Sequence, residues 1–353
     1  TAERLRGRNR MTAILLGWQK AAEQLEWIRT LAPSGCEFLV PEHSPDQGDY
    51  DADPAELVRL GREAEIIVGW NFPRQVFVES RKLKLVSSAH TGYDRYDLAL
   101  FLERGVMLAN AGGVNSVAVA EHALALLLAL AKRIAEHDRS VRRVDWVDLT
   151  PETASVQLAG KVAAIVGLGR IGTLIAARCR AFGMKTVGVR RDVSRQVDAV
   201  DELVGADRLN SVLEAADAVI LALPLTPRTR GLMGHEQFAV LKPGALLVNV
   251  GRGMVVNESA VHQALTRGDL GGFAADVWWD YADASPAGYH YNVPSRLAVH
   301  RLPRVVGTPD MASNVQGMRE RMIEFAMENV REFLAGKTPA RTVDLRDAIR
   351  PGG

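Results

Sequence analysis

Five apolar residues, Val162 to Val166, run directly into Gly167-Leu168-Gly169-Arg170-Ile171-Gly172 and then into a helical pattern that lasts to Phe182. No other passage constrains the fold as tightly. A GxGxxG string alone is a weak signal, but between an apolar strand and a helix it marks a βαβ unit built to receive a dinucleotide. Gly167 permits the tight turn, Gly169 lets the backbone approach a pyrophosphate, and Gly172 lets helix and strand pack closely. Arg170 and Ile171 open the helix, whose N-terminus offers N–H groups and positive dipole to phosphate. The bland alternative is a glycine-rich turn without a ligand.

The next apolar run, Thr186 to Val189, ends in Arg190-Arg191-Asp192. An acidic residue usually stands at this point to accept from the ribose 2′-OH of NAD. A cation favours a 2′-phosphate instead. NADP is therefore expected ahead of NAD, read from Arg190 and Arg191. In the alternative, both arginines are solvated and Asp192 contacts the ribose.

Strand and helix signals alternate along the whole chain, which implies parallel strands joined by helical crossovers. One series opens with Thr12 to Leu16, Glu37 to Val40, Glu65 to Gly69 and Leu83 to Ser87. A second contains Val162 to Val166, Thr186 to Val189, Ala218 to Leu221, Ala245 to Val248, Gly272 to Asp276 and Val305 to Gly307. Helical patterns from about Ser116 to His137 and from about Asn314 to Leu334 bracket the second series, the latter stopping at Gly336. The expected class is α/β, with one domain inserted into another and the outer domain discontinuous. Residues 11–113 and 311–353 form the outer domain, 114–310 the inserted one, and 1–10 a disordered extension. A length of 353 residues allows two cores of this kind.

Charge and composition exclude other classes. The formal net charge is +1, so no basic field exists to hold a nucleic-acid backbone. The most apolar stretch, Ala123 to Ala131, falls short of the roughly 20 residues that cross a bilayer, so no membrane partner is expected. Cys36 and Cys179 stand far apart, which fits a reducing, cytoplasmic setting. The histidines show no metal-ligand spacing, so no metal is expected.

Seven motifs occur in order: Gly92-Tyr93-Asp94, Val119-Ala120-Glu121, Gly167 to Gly172, Leu223-Pro224-Leu225-Thr226, Asn249-Val250-Gly251-Arg252-Gly253, Ala275-Asp276-Val277-Trp278 and Thr308-Pro309. Together they resemble the D-isomer-specific 2-hydroxyacid dehydrogenases, the family of glyoxylate, hydroxypyruvate and phosphoglycerate dehydrogenases, over nearly all of Leu83 to Lys337. The resemblance implies two doubly wound parallel-sheet domains, a Rossmann dinucleotide-binding domain inserted into a flavodoxin-like substrate domain, and a homodimer, with the helix from Ser116 as a contact. It implies that Arg252 binds the carboxylate of a small anionic acid and polarises its carbonyl, a task suited to a permanently charged, two-pronged guanidinium. His90, Thr91 and Gly92 resemble the loop holding the other end of that carboxylate. Asp276 resembles the acceptor for the nicotinamide carboxamide, and Leu223, Pro224 and Val250 resemble the cofactor-cleft wall. Further cations at His90, Arg95 and Arg74 would suit a phospho- or phosphono-substituted acid, although such charges more often face solvent. Trp146, Trp278 and Trp279 could cap a pocket, with core or subunit contact as the commoner use.

Two departures stand out. The family's histidine follows Thr-Pro, and here that place holds Asp310. Its partner glutamate falls five positions after the Asp276 equivalent, where this chain has Tyr281. Histidine gives and takes protons near neutrality because its pKa is about 6.5, whereas an aspartate at about 3.9 is almost wholly ionised. Raising that value to 7 would cost about 4 kcal/mol. Asp310 is expected as a base or orienting group, with Tyr281 or His90 assisting. The competing reading is an NAD(P)-binding regulator or pseudoenzyme without turnover.

Overall fold

The computed structural model describes residues 11–18, 21–42, 52–148, 150–194, 196–279 and 294–350. The extension expected at 1–10 lies outside them. The described residues divide into two compact units. One comprises those up to Val114 and those from Gln316 onward; the other runs from Asn115 to Val315.

The first unit is built on β1 (Thr12–Leu16), β2 (Cys36–Leu39), β3 (Ile66–Gly69), β4 (Leu85–Ser88) and β5 (Met107–Ala109), in the order β2-β1-β3-β4-β5. Every pairing is parallel. A parallel sheet is covered by helices on both faces, so its central strands are buried continuously rather than alternately. β3 and β4 are buried along their whole length, β3 with an apolar run and β4 with Leu85 and Val86 followed by the buried Ser87 and Ser88. The helix Met318–Leu334 returns to this sheet. Asn329, fully buried, donates to Asn110 O at 3.0 Å and to Ser87 Oγ at 3.2 Å, and Ser87 Oγ donates to Ala326 O at 2.8 Å. This helix starts later than its apolar pattern suggests, because Gly317 just before it takes a left-handed φ of +72°.

The second unit carries β6 (Val162–Val166), β7 (Lys185–Val189), β8 (Glu202–Val204), β9 (Ala218–Leu221), β10 (Ala245–Asn249), β11 (Leu270–Ala275) and β12 (Val305–Gly307). Their order is β12-β11-β10-β9-β6-β7-β8, again all parallel. The chain leaves β6 toward β7 on one side and later resumes at β9 on the other. Such a reversal is a topological switch point, and ligands of open α/β sheets bind beyond the carboxyl ends of the strands there. The doubly wound α/β architecture expected from the sequence is the one the chain forms. β5 and β8, three residues each, were not anticipated. Both are outermost in their sheets, where a short strand needs little apolar sequence.

The expected helix from Ser116 to His137 is two helices, Ser116–Ala131 and Ile134–Arg143. Arg133 between them adopts φ +53°. A left-handed non-glycine residue costs roughly 1–2 kcal/mol. The cost is offset by Arg133 gripping Glu136 at 2.6 Å and reaching the Glu152 carbonyl. The first helix buries Val119, Ala123, Leu124, Leu126, Leu127 and Leu130 in its own unit's core. The second helix buries none of its residues.

Candidate active site

The three motif glycines have three different surroundings. A Cβ on Gly172 would stand 1.9 Å from Gly167 O, and one on Gly167 would stand 2.7 Å from Ala222 O. Gly167 also needs φ +101°. Both positions are closed to any side chain by the protein itself. Gly169 differs: it is exposed, and nothing lies within 4 Å of its would-be Cβ. Nothing among the described residues closes this position to a side chain, so its backbone lies open to whatever approaches. Gly169 is also the N-cap of helix Arg170–Ala181, and no side chain caps that end. An exposed, uncapped helix start beside a bare backbone is the arrangement that fits a pyrophosphate. Arg170 is exposed beside it and Ile171 half-buried.

Other cofactor candidates meet this turn along the same sheet edge. A Cβ on Gly251 would stand 2.5 Å from Leu223 O, so the loop after β10 lies backbone-to-backbone on the loop after β9. Leu223 is half-buried and Pro224 exposed, while Val250 is buried in the core. Arg190 directly follows β7, its side chain 24% exposed and 3.7 Å from the Asp192 carboxylate. Arg191 and Asp192 are exposed, and Asp192 accepts from Ser194 N at 2.9 Å.

Arg252 follows β10 in a segment fixed by Asn249, which is fully buried. The Asn249 amide accepts from Gly251 N at 3.0 Å and donates to Arg252 O at 2.9 Å. Arg252 is half-buried, with Nη1 donating to Gly251 O at 2.8 Å. Gly253 is held against Trp278, whose carbonyl would lie 2.0 Å from a Cβ there.

Asp276 is 2% exposed at the end of β11. Its Oδ1 accepts from Thr308 Oγ1 at 2.5 Å and Met311 N at 2.8 Å, and its Oδ2 accepts from Ala312 N at 2.9 Å. Its carbonyl accepts from Asp310 N at 2.8 Å. One buried carboxylate thus shapes the whole turn after β12. That turn holds Asp310 exposed at φ +59°, a conformation Asp tolerates better than most residues. A second donor set was not foreseen from the sequence. His122, on helix Ser116–Ala131, places Nε2 2.8 Å from Thr308 Oγ1 and 3.5 Å from Asp276 Oδ1. The sequence held a signal for it, a histidine beside Val119-Ala120-Glu121, but the partner is 186 residues away.

Trp278 and Trp279 are core residues. Their indoles donate to Thr308 O at 3.0 Å and Val256 O at 2.6 Å, and both are buried. Tyr281 lies outside the described residues. His90, Thr91 and Gly92 belong to the first unit, in the loop after β4. Ser88 Oγ accepts from His90 N at 3.2 Å, and the carbonyls of His90 and Thr91 accept from Ala111 N at 2.9 Å and Asn110 Nδ2 at 2.7 Å. Arg74 pairs with Asp97 at 2.8 Å, and that bond ties a helix start rather than a ligand. Burial pushes the Cys179 thiol up to about 12 and raises Cys36 as well, so neither is an activated nucleophile. Among the described residues, no group of three potential metal ligands occurs and no helix is long and apolar enough to cross a membrane.

Residues 124–312, more than half of the chain, match the family model for the NAD binding domain of D-isomer specific 2-hydroxyacid dehydrogenases. The chain is 33% identical over 333 residues to a glyoxylate reductase of Pyrococcus horikoshii, covering 91% of this chain and 96% of that one. It is 29% identical over 293 residues to a D-3-phosphoglycerate dehydrogenase of Methanocaldococcus jannaschii, covering 82% of this chain but only 53% of the relative. The chain therefore spans about half the length of that relative. A solved protein of Thermus thermophilus superposes with a TM-score of 0.73 at 31% identity, covering 94% of this chain and all of that one.

Proposed function

The chain belongs to the D-isomer-specific 2-hydroxyacid dehydrogenase family, and on that premise we propose that it transfers a hydride between NADP and a small 2-hydroxy or 2-oxo acid. The observation that carries the reading is the shared edge of the seven-stranded sheet, where the Gly167–Gly172 turn, Arg190, Arg252, Asp276 and Asp310 follow the carboxyl ends of β6, β7, β10, β11 and β12. Residues 114–310 serve the cofactor, and residues 11–113 with 311–353 serve the substrate. The bound dinucleotide supplies or accepts the hydride.

Each residue has a task that its chemistry supports. The N–H groups at Gly169, Arg170 and Ile171 receive the pyrophosphate, and Arg190 with Arg191 receives a 2′-phosphate. Leu223, Pro224 and Val250 border the ring end, Val250 through its backbone. Arg252 holds the substrate carboxylate with charge-assisted bonds, each worth roughly 1.5–3 kcal/mol. Asp310 accepts the hydroxyl proton in the oxidative direction, where an ionised carboxylate is an advantage, with Tyr281 or His90 assisting. Asp276 fixes the turn that carries Asp310 while retaining acceptor capacity for a carboxamide. A phospho- or phosphono-substituted acid would draw on His90 and Arg95; Arg74 is committed to Asp97.

The chain acts as a homodimer through the face of helix Ile134–Arg143. Ile134, Val141, Val144 and Trp146 are 56%, 66%, 91% and 92% exposed there, an apolar load that a second copy would cover. Its setting is the cytoplasm, where the free Cys36 and Cys179 stay reduced. One observation favours a second reading, a dinucleotide-binding regulator without turnover: Asp310 stands where a proton donor is needed. A panel of 2-oxo acids with NADPH and NADH, followed by loss of the reduced-cofactor absorbance, separates the two. Turnover that Arg252→Ala lowers by about 100-fold is expected. Cofactor binding with no turnover on any acid would leave the regulator.

A further inference from the structure

On the reading of the site given above, the residue after Thr308-Pro309 stands beside the reacting atoms, and in this chain it is an aspartate. Its place is built by the fold. Asp310 N–H donates to Asp276 O at 2.8 Å, and Asp276 also holds Thr308, Met311 and Ala312 on either side of it. The Asp310 side chain is exposed at the carboxyl end of β12, and Arg252 is half-buried at the carboxyl end of β10. β11 lies between those strands, so the two ends stand two strand spacings apart, about 10 Å. A cation and an anion following strand ends on the same sheet edge, with one strand between them, suit a small zwitterion.

The sign of the charge discriminates between reactions. Hydride addition to a ketone leaves an alkoxide, which an adjacent anion opposes and which needs a proton that an ionised aspartate cannot give. An imine is electrophilic when protonated, and a neighbouring carboxylate favours that charged form. Its reduction requires no proton in the hydride step. We propose that this site also reduces 2-imino acids, the condensation products of 2-oxo acids with ammonia or a small primary amine, and does so faster than it reduces the parent 2-oxo acids. The proposal rests on the reading of the site given above, a pyridine dinucleotide with Arg252 on the substrate carboxylate. In the step, hydride from the reduced dinucleotide forms the new C2–H bond. The C2=N π pair becomes the nitrogen lone pair, the dinucleotide is released oxidised, and the amine formed takes a proton from water. Asp310 stays ionised throughout, holding the iminium N–H.

The test is NADPH oxidation by the full chain with glyoxylate or pyruvate, alone and with ammonium or methylamine, products being identified by mass spectrometry. The expected result is a rate at least about tenfold higher with amine, and an amino acid as product. Asp310→His should reverse the preference, raising 2-oxo acid reduction and lowering the amine-dependent rate. A binding measurement reads the same charge without turnover. With NADP present, N-methylalanine should bind the wild-type chain more tightly than lactate, and Asp310→His should invert that order. Reduction of the 2-oxo acid to the hydroxy acid at a rate indifferent to amine would overturn this proposal and leave the hydroxyacid reading intact. Absence of NADPH binding would overturn both.

Discussion

The proposed preference for NADP turns on a single side chain, Arg190. It follows the last residue of β7, is 24% exposed, and lies 3.7 Å from Asp192, a separation too long to commit it firmly to that partner. A 2′-phosphate would offer it charge-assisted bonds at normal length. Arg190→Asp is expected to move the NADPH/NADH ratio of kcat/KM toward NADH by about 10–100-fold, the equivalent of one such bond. An unchanged ratio would remove Arg190 from the cofactor site. The turn of Gly167 and Gly172 could be read in the sequence because its requirement is local, a backbone closed to any side chain, whereas Arg252 was named by resemblance to a family. His122 was reached by neither route. Its bond to Thr308 joins the helix Ser116–Ala131 to the turn after β12, and no local pattern encodes a contact across 186 residues. The role of Asp276 was likewise legible only in part. Its sequence position suggested a carboxamide acceptor, whereas its three donors make it the organiser of the turn that carries Asp310.

At the scale of elements, strand and helix positions followed from apolar runs, and the misreadings fell where backbone geometry overrides propensity. The break at Arg133 has no glycine or proline to announce it; Glu136 and the Glu152 carbonyl hold it, and Glu152 lies 19 residues on. Helix Leu98–Arg104 is the opposite case, with both ends written in the sequence. Asp97 caps its start, accepting from Leu100 N at 3.0 Å, and Gly105 ends it at φ +66°. The Leu100 N–H bond, and then the Arg74 guanidinium, hold the Asp97 carboxyl below its ordinary value. A depressed folded-state pKa contributes stability that is present above the unfolded value, about 3.9, and is lost as pH falls through the folded one. Asp97→Ala should therefore destabilise the chain by about 1 kcal/mol at pH 7. The gap should narrow below about pH 4. Urea unfolding of both proteins at pH 7 and pH 3.5 measures it, and a gap that widened in acid would contradict this account of the cap.

For the whole molecule, the two sheet orders were legible as a class but not as an order. Alternation predicts parallel strands; only the coordinates give β2-β1-β3-β4-β5 and the longer sheet's reversal between β6 and β9. A subunit contact is a proposal at this scale. The helix Ser116–Ala131 was the candidate from sequence; it buries most of its apolar residues in its own unit, and the most exposed apolar side chains lie on the next helix and just beyond it. Trp146→Glu is expected to shift the chain from dimer to monomer in sedimentation, and an unaltered dimer would place the contact elsewhere. All of these roles depend on a dinucleotide lying along the carboxyl edge of the seven-stranded sheet. Calorimetric titration of the full chain with NADPH and with NADH tests that claim most directly. Saturable binding at one site per chain, tighter for NADPH, is the predicted result; no measurable binding of either nucleotide, reduced or oxidised, would contradict it.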